Sequence, residues 1–476
     1  MATQTLKKIT PDELKNIQGI IISGYGHLPN CEYQFLTISD AGQAKNWLAS
    51  ILPKITSSQR PDDGTGKKVK PGCALNIAFT YAGIQKFGLS FVSDFSQEFA
   101  EGISEPHRTR RLGDDGNSAP ELWDVKEGDV QILVIIQAPN TQERDTFSTE
   151  LKAEYTRFGI NYVRSEFGNT PANNKEHFGF TDSISQPFIE NSPATPKGTQ
   201  SCVSAGEFIL GYSNEYQLLP ATPTVKVSDD KNNCLPSLST DPTLKDFGCN
   251  GSYFVFRKLY QDVAAFNLYL DSNTKSEEHK AIVAAKFVGR WPSGTPLVNA
   301  PDIDIIDPHV QDRNNFFFTN NDAKGLSCPI ASHIRRSNPR DSLAGGPEQS
   351  IKTANRHRLL RRGIQYGPQF PGGNIDDGQD RGILFFCVNA DIKRQFEFVQ
   401  QTWINNPKFG DMYSDRDPIT GNNFDPAGDN DGKEYNMTIP GCPRERFTNI
   451  PRFVKVKGGG YFFLPSIPAL KYLAAG

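Results

Sequence analysis

The order of apolar segments in the first half of the chain restricts its fold more than any other feature of the sequence. Six segments alternate in character, with strand-like runs at 33–38, 74–79, 130–137 and from 160, and helix-like runs at 41–52 and 142–158. The strand-like runs are short and mostly apolar, whereas the helix-like runs carry apolar side chains at helical spacing. The resulting order, β-α-β followed by β-α-β, predicts a ferredoxin-like unit with an antiparallel sheet.

The second half of the chain repeats this order more loosely. Its strand-like and helix-like runs occur at 253–256, 262–270, 280–288, 383–388 and 461–464. Asp391 can cap a further helix, because the apolar residues after it fall on one helical face: Ile392, Phe396, Val399 and Trp403. A second ferredoxin-like unit is therefore expected.

The boundary between the two units is placed by composition. Proline, serine and asparagine concentrate between residues 193 and 251, which favours a boundary near residue 220. A chain of 476 residues also suits two domains of roughly 200 residues each. The sequence thus predicts an α+β fold with two ferredoxin-like domains, residues 1–220 and 221–476.

Two local patterns stand at the beginning of the chain. Thr10-Pro11-Asp12-Glu13 has the form of a capping box with proline at the first helical position, which predicts a short helix. The three isoleucines at 20–22 follow it, and we expect them to form a strand.

Composition excludes several classes of protein. The formal net charge is −3, whereas a nucleic-acid binder of this size would usually be basic. Eight cysteines occur without a C-x-x-C pair, so neither a zinc ribbon nor a disulfide scaffold is expected. The first residues lack the apolar region of a secretory signal, and no apolar run approaches the ~20 residues that span a bilayer. We expect a cytoplasmic protein without a membrane partner, and export of the folded chain stays open.

Common catalytic motifs are absent or incomplete. Gly24-Tyr-Gly26 lacks the third glycine of a dinucleotide-binding fingerprint, and Gly66-Lys67 lacks the rest of a P-loop. Neither H-E-x-x-H nor G-x-S-x-G occurs. Hydride transfer, nucleotide hydrolysis and zinc proteolysis are therefore poorly supported.

Three segments hold the side chains best suited to chemistry. They are His177-Phe-Gly179-Phe-Thr-Asp182-Ser183, Cys328-Pro-Ile-Ala-Ser-His333-Ile-Arg-Arg and Arg358-Leu-Leu-Arg361-Arg362-Gly. A lone histidine is usually a surface or satisfied core residue, and an arginine in a basic cluster usually lies on a solvated face. Only the combination of the three segments raises His333, Asp182 and Arg361 above these ordinary interpretations.

In this order the segments resemble the signature segments of the dye-decolorising (DyP-type) haem peroxidase family. Gly179-Phe-Thr-Asp182 is similar to the family's G-x-x-D-G motif, the segment around His333 to its proximal haem-ligand motif, and Arg361-Arg362-Gly to its distal arginine motif. Further similarity at 112–123 and 458–463 extends the resemblance nearly from end to end. The family fold has two ferredoxin-like domains of the dimeric α+β barrel superfamily, with haem in the C-terminal domain, in agreement with the pattern above.

The resemblance implies a role for each residue of a haem b site. His333 would ligate the iron, and a carboxylate on its other ring nitrogen would hold the ring and make it more basic. Asp417 is the implied partner, although an aspartate before proline is equally typical of a turn. Arg362 and Arg358 would contact the cofactor through its propionates, with surface carboxylates as the alternative partners.

On the peroxide side the resemblance implies Asp182 as the general acid–base group and Arg361 as the cation that stabilises developing charge. Aspartate stays ionised in mild acid, where a histidine base would be protonated, so an optimum at about pH 4–5 is expected. Position 183 is serine where the family usually has glycine. Because glycine tolerates backbone angles that serine resists, the aim of the Asp182 carboxylate could differ from that of other members.

The implied reaction is reduction of hydrogen peroxide coupled to one-electron oxidation of phenols and dyes, anthraquinone dyes included. Bulky dyes would need a relay to the surface, for which Tyr366 and Trp403 are candidates, with core packing as the alternative for Trp403. A haem-handling protein with little turnover is the rival hypothesis, and an apoprotein scaffold is a third. A homo-oligomer is also compatible with the resemblance.

Overall fold

The computed structural model describes residues 7–89, 91, 94–194, 202–305, 314–430 and 432–475. Its helices, in chain order, are α1 Pro11–Asn16, α2 Gly19–Ile22, α3 Ala41–Ile51, α4 Tyr81–Gln85, α5 Gln97–Glu101, α6 Pro106–Leu112, α7 Thr141–Tyr155, α8 Val263–Asn273, α9 Glu277–Val288, α10 Phe318–Asp322, α11 His333–Ser337, α12 Pro347–Asn355 and α13 Ile467–Ala475. Two π-helical segments, Lys393–Glu397 and Val399–Ile404, follow in succession before the last strands.

The strands, also in chain order, are β1 Asn30–Ile38, β2 Ala74–Phe79, β3 Val125–Lys126, β4 Ile132–Ala138, β5 Ile160–Asn169, β6 Phe188–Ile189, β7 Cys202–Val203, β8 Thr224–Lys226, β9 Ser237–Leu238, β10 Asp241–Asp246, β11 Ser252–Gln261, β12 Leu360–Arg361, β13 Ile364–Tyr366, β14 Gly382–Asn389, β15 Met437–Ile439, β16 Glu445–Phe447 and β17 Val454–Leu464.

The main sheet consists of two ferredoxin-like halves joined edge to edge. Its order is β12-β14-β11-β17-β2-β4-β1-β5, with β13 beside β14 and β3 beside β17. In each half the second strand pairs with the third, the third with the first and the first with the fourth, and these pairings are antiparallel. The halves meet where Phe463 of β17 pairs with Phe79 of β2. The predicted α+β class and both ferredoxin-like units are thereby confirmed.

The sheet curls until its two ends lie side by side. A Cβ added at Gly168 of β5 would stand 2.3 Å from Cγ2 of Ile364 in β13, so this close approach needs glycine. Inside, the ring of Phe386 stacks on Tyr33, Phe254 and Phe256 at centroid distances of 4.5, 4.8 and 4.8 Å. Each buried aromatic side chain contributes about 1.5–3 kcal/mol. The interior of this barrel therefore joins residues of both halves into one core.

Local signals at the helix starts are confirmed. The Thr10 hydroxyl accepts a hydrogen bond from the Glu13 amide at 3.2 Å and caps α1. Asp391 accepts one from the Arg394 amide at 2.9 Å, as expected of a cap, although the helix it begins is π-helical. The predicted boundary at residue 220 falls between β5 and β11, and it stays a prediction.

The strand predicted at 20–22 is wrong, because these residues belong to the helix α2. Both edges of the nearest strand, β2, are already paired, with β4 and β17. Ile20 and Ile21 are buried instead through a single helical turn. A short apolar run does not distinguish a buried strand from a buried helix, which accounts for the error. In the ranges that the structure describes, no helix has the length and apolar character needed to cross a membrane.

Candidate active site

A cavity of about 320 Å³ lies against one face of the second half of the sheet, and it collects the residues singled out in the sequence. His333, Asp182 and Arg361 all line it. Its apolar wall is formed by alternate residues of β11, β14 and β17 and by the segments that cover them, including Leu259, Val288, Phe385, Phe396, Val399, Ile404, Ile419 and Val454. A histidine, a carboxylate and a guanidinium thus share one largely apolar space.

His333 is held at the first position of α11 by Asp417. The ring Nδ1 of His333 lies 2.8 Å from Oδ2 of Asp417 and 3.3 Å from the hydroxyl of Thr420. The Nε2 atom has no hydrogen-bond partner in the part of the chain that the structure describes, while the side chain faces the cavity. When Nδ1 carries the proton and donates it in a hydrogen bond to the Asp417 carboxylate, the lone pair of Nε2 is free to bind a metal.

Asp417 is fully buried and is built to remain a carboxylate. Its second oxygen, Oδ1, accepts the backbone amides of Ile419 and Thr420 at 2.8 and 2.9 Å. Burial alone would raise the pKa of Asp417, but the charge and hydrogen bond of His333, together with the two amides, hold it below the usual value. The residue makes the turn that its proline neighbour indicates, and its carboxylate also contacts the His333 ring.

Asp182 projects from a narrow loop that is pinned at its base. The Asp182 amide donates to the carbonyl of Asn174 at 2.9 Å, and the Asn174 side chain returns a bond to the Asp182 carbonyl at 2.8 Å. Within the loop, the Glu176 carboxyl group accepts the amides of Phe178 and Phe180 at 3.0 and 2.9 Å. The backbone that carries Asp182 is therefore fixed before any ligand binds.

Ser183 has a backbone conformation that favours glycine. Its φ is +59°, in the left-handed region that glycine adopts at least cost. Its amide donates to Oδ1 of Asp182 at 2.5 Å, which aims that carboxylate. Serine thus adopts a left-handed backbone conformation here, at the cost that a side chain brings in that region.

Arg361 is tied to the same segment as Asp182. Its amide donates to Oε1 of Gln186 at 2.9 Å, and its Nη2 donates to the Ser185 carbonyl at 3.0 Å. Its guanidinium has no ion-pair partner among the described residues. A second cavity of about 1020 Å³ adjoins the first, and Asp182, Ser183 and Arg361 line both. These residues therefore stand where a small molecule would pass from one space to the other.

The two neighbours of Arg361 face different surroundings. Nε and Nη2 of Arg362 donate to the carbonyls of Ile20 and Ile21 at 2.7 and 2.9 Å, and the residue lines only the second of these two cavities. Arg358 lines the first cavity, and within the described ranges it forms no ion pair. Burial and the nearby charge of Arg361 lower the pKa of Arg358 to about 10. An anionic group in the first cavity would therefore meet Arg358 rather than Arg362.

The two relay candidates are both buried. The Tyr366 hydroxyl donates to Oδ1 of Asp380 at 2.9 Å, and the Asp380 side chain is 51% exposed. Trp403 packs edge-on against Phe398 and His357 at 5.5 and 5.2 Å. Tyr366 is thus one hydrogen bond from solvent, whereas Trp403 contributes to an aromatic core.

Sequence reasoning missed several charged residues of the cavity. Arg257 of β11 forms a buried two-point ion pair with Asp114, and Arg452 pairs with Asp115. Asp114 and Asp115 lie within the 112–123 segment noted in the sequence, but nothing there indicated their distant partners. Alternation along a strand could have placed Arg257 on a sheet face without revealing what that face covers.

The donor set and shape of the cavity fit a haem. A haem needs one axial nitrogen, apolar walls for the porphyrin and cations for its two carboxylates. His333 offers the nitrogen, the sheet face offers the walls, and Arg358 offers a guanidinium that has no carboxylate partner among the described residues. The unsatisfied Nε2 and the uncompensated charge of Arg358 are both explained by such a ligand.

Comparison with known proteins agrees with this geometry. Residues 16–170 match the model of the DyP dimeric alpha+beta barrel domain. The dye-decolorizing peroxidase of Mycena epipterygia is 30% identical, over 97% of this chain and 87% of that protein. A fungal DyP-type peroxidase from Auricularia auricula-judae has a crystal structure that matches with a TM-score of 0.77 at 27% identity, covering 97% of this chain and 99% of the other. A dye-decolorizing peroxidase solved in complex with 2,6-dimethoxyphenol matches equally well, with a TM-score of 0.77 and 27% identity over 98% and 100% of the two chains.

Fold, cavity and relatives together define a peroxidase, an oxidoreductase of a class that depends on haem. The chain belongs to the dye-decolorising peroxidase family.

Proposed function

We propose that this chain binds haem b, reduces hydrogen peroxide and oxidises phenols and dyes, anthraquinone dyes included. The observation that carries the proposal is the free Nε2 of His333, backed by Asp417, in a cavity shared with Asp182 and Arg361. The 2,6-dimethoxyphenol complex of a relative supports phenols as reductants. Haem bound in this cavity supplies the iron at which peroxide is reduced.

Each residue of the candidate active site has a defined task in this proposal. His333 would hold the iron, with Asp417 fixing the ring and raising its basicity. Asp182 would take the proton from one peroxide oxygen and return it to the other, as one positioned group can do in both steps. Arg361 would stabilise the charge that develops on the departing oxygen. Arg358 would hold a haem carboxylate, and Arg362 stays the weaker candidate for that contact.

The test is the absorption spectrum of the purified protein. Wild type should show a Soret band that shifts on addition of one equivalent of peroxide, and His333→Ala should lose axial ligation. Asp417→Asn should keep the band but weaken haem affinity or activity by about 10–100-fold, because it loses the orienting carboxylate. Wild type that binds haem without reacting with peroxide would favour the haem-handling hypothesis, and a protein that refuses haem would refute both.

Bulky reductants are proposed to react through Tyr366. Its hydroxyl has a half-exposed proton acceptor in Asp380, and Lys258 lies 5.1 Å above its ring. Tyr366→Phe should slow the oxidation of bulky dyes while the first reaction with peroxide keeps its rate, as followed by stopped-flow absorption. Trp403→Phe is the companion variant for the second relay candidate. Equal losses in both reactions of Tyr366→Phe would remove the relay.

A further inference from the structure

Tyr461 is a fully buried tyrosine one aromatic ring away from the active-site cavity. It lies in β17 with no exposed surface. Its ring centroid is 6.5 Å from that of Phe396, and Phe396 lines the cavity beside His333. Neither peroxide binding nor the proposed acid–base steps make use of it.

The hydroxyl of Tyr461 is provided with a buried proton acceptor. It donates to Oε1 of Glu397 at 2.9 Å, and the Glu397 side chain is only 2% exposed. Arg108 donates to the same oxygen at 2.7 Å. The other oxygen of Glu397 has no hydrogen bond among the described residues, although Nη1 of Arg111 lies 4.0 Å from it. The Glu397 carboxyl group is therefore placed within hydrogen-bond distance to accept a proton from a phenol that loses an electron.

The charges around Glu397 continue to the surface. Nε of Arg108 also donates to Oε2 of Glu101 at 3.0 Å, and Nε2 of His107 lies 3.2 Å from that oxygen. The His107 side chain is 39% exposed. If Glu397 accepts a proton and becomes neutral, Arg108 still has the Glu101 carboxylate as a counterion. The positive charge of Arg108 is therefore not left unpaired in the core.

Two other buried tyrosines, Tyr253 and Tyr212, have hydroxyl partners other than a carboxylate, whereas Tyr366, like Tyr461, donates to one. The Tyr253 hydroxyl, in the adjacent strand β11, accepts the amide of Ser96 at 3.2 Å. The Tyr212 hydroxyl donates to the amide oxygen of Asn250 at 2.7 Å. Neither group is a base strong enough to take the proton of an oxidised phenol, whereas a carboxylate is.

We infer that Tyr461 is an internal redox site that holds an oxidising equivalent when peroxide has reacted and no reductant is present. The inference rests on the proposed function, because peroxide reduction supplies the oxidant. One electron leaves Tyr461 and reduces the peroxide-oxidised site by one equivalent. At the same time the O–H bond of Tyr461 breaks and an O–H bond forms at Oε1 of Glu397. A phenol substrate later returns the electron, and Glu397 returns the proton.

The experiment uses the haem-loaded protein in a Tyr366→Phe background, so that the proposed surface relay gives no signal. One equivalent of peroxide is added without reductant, the sample is freeze-quenched, and the tyrosyl radical is followed by electron paramagnetic resonance. The background variant should give a tyrosyl signal, and adding Tyr461→Phe should abolish it. Adding Glu397→Gln, which keeps the shape but removes the base, should reduce it.

Tyr253→Phe is the matched control, a buried tyrosine of the neighbouring strand, and it should leave the signal unchanged. Steady-state oxidation of a small phenol at saturating concentration should be unaffected by Tyr461→Phe, since substrate then competes with the internal site. Retention of the full signal in Tyr461→Phe, or a background variant that consumes peroxide without any tyrosyl signal, would overturn the inference and leave the proposed function intact. A protein that fails to react with peroxide would refute both.

Discussion

Replacing Asp182 by asparagine is expected to lower peroxide turnover by about 10²–10⁴-fold, the range that a positioned acid–base group contributes. Asparagine preserves the size of the side chain, and its Oδ1 can still accept a hydrogen bond from the Ser183 amide, so the loop should keep its shape. It cannot take a proton from peroxide. The measurements are the rate of peroxide reaction by stopped flow and the haem content of the same preparation.

Haem content decides how a loss in Asp182→Asn is interpreted. An unchanged Soret band with a slow reaction assigns the effect to proton transfer, whereas loss of haem would assign it to the cavity. Asp129→Asn, at an exposed turn, is the matched control and should behave as wild type. The acidic optimum expected for the wild-type peroxide reaction should be absent from the pH profile of Asp182→Asn. A variant profile identical to that of wild type would contradict the assignment.

Glu176 is the carboxyl group to examine if Asp182→Asn remains fast. It lines the same cavity, and burial raises its pKa to about 7, although the hydrogen bonds that it accepts from backbone amides act in the opposite direction. Below that pH it is largely protonated and is a poor base in mild acid. Its bonds to Phe178 and Phe180 indicate a structural task, the support of the Asp182 loop.

Removing the charge of Arg361 is the second large effect, with an expected loss of about 10²–10³-fold in the peroxide reaction for Arg361→Met. The guanidinium stands without a carboxylate partner in the described structure, so its field is directed into the cavity rather than neutralised. Lysine should restore only part of the rate, because one ammonium cannot reproduce the planar donor set of arginine.

The control for Arg361→Met is Arg157→Met, at an arginine whose side chain is 74% exposed and is not among the residues that line the cavity. Arg362→Gln answers a separate question, namely which neighbour of Arg361 meets the cofactor. Loss of haem affinity in Arg362→Gln would support the assignment made from the sequence. Loss of unfolding free energy alone would support the contacts seen with Ile20 and Ile21. A wild-type peroxide rate in Arg361→Met would exclude Arg361 as the charge-stabilising group.

The sequence by itself determined the class of fold and singled out the candidate reacting residues. The length of an apolar run and the spacing of apolar residues along a helix are local properties of the sequence. They depend only on which side chains of one element are buried. The capping box at Thr10 and the cap at Asp391 are equally local. His333, Asp182 and Arg361 were singled out by short motifs in a fixed order, and their presence in one cavity agrees with that selection.

Local sequence patterns did not indicate which of these residues meet, and only the resemblance implied the pair of His333 and Asp417. The bond between His333 and Asp417 spans 84 positions, and that between Tyr461 and Glu397 spans 64. Neither pairing leaves a trace in local spacing, because it depends on how the barrel curls and what covers its face. Nothing in the local sequence distinguishes Arg358 from Arg362. In the structure Arg358 lines the cavity, whereas Arg362 donates to backbone carbonyls of α2. The isoleucines of α2 are helical for the same reason, since the strand edges beside them are already paired.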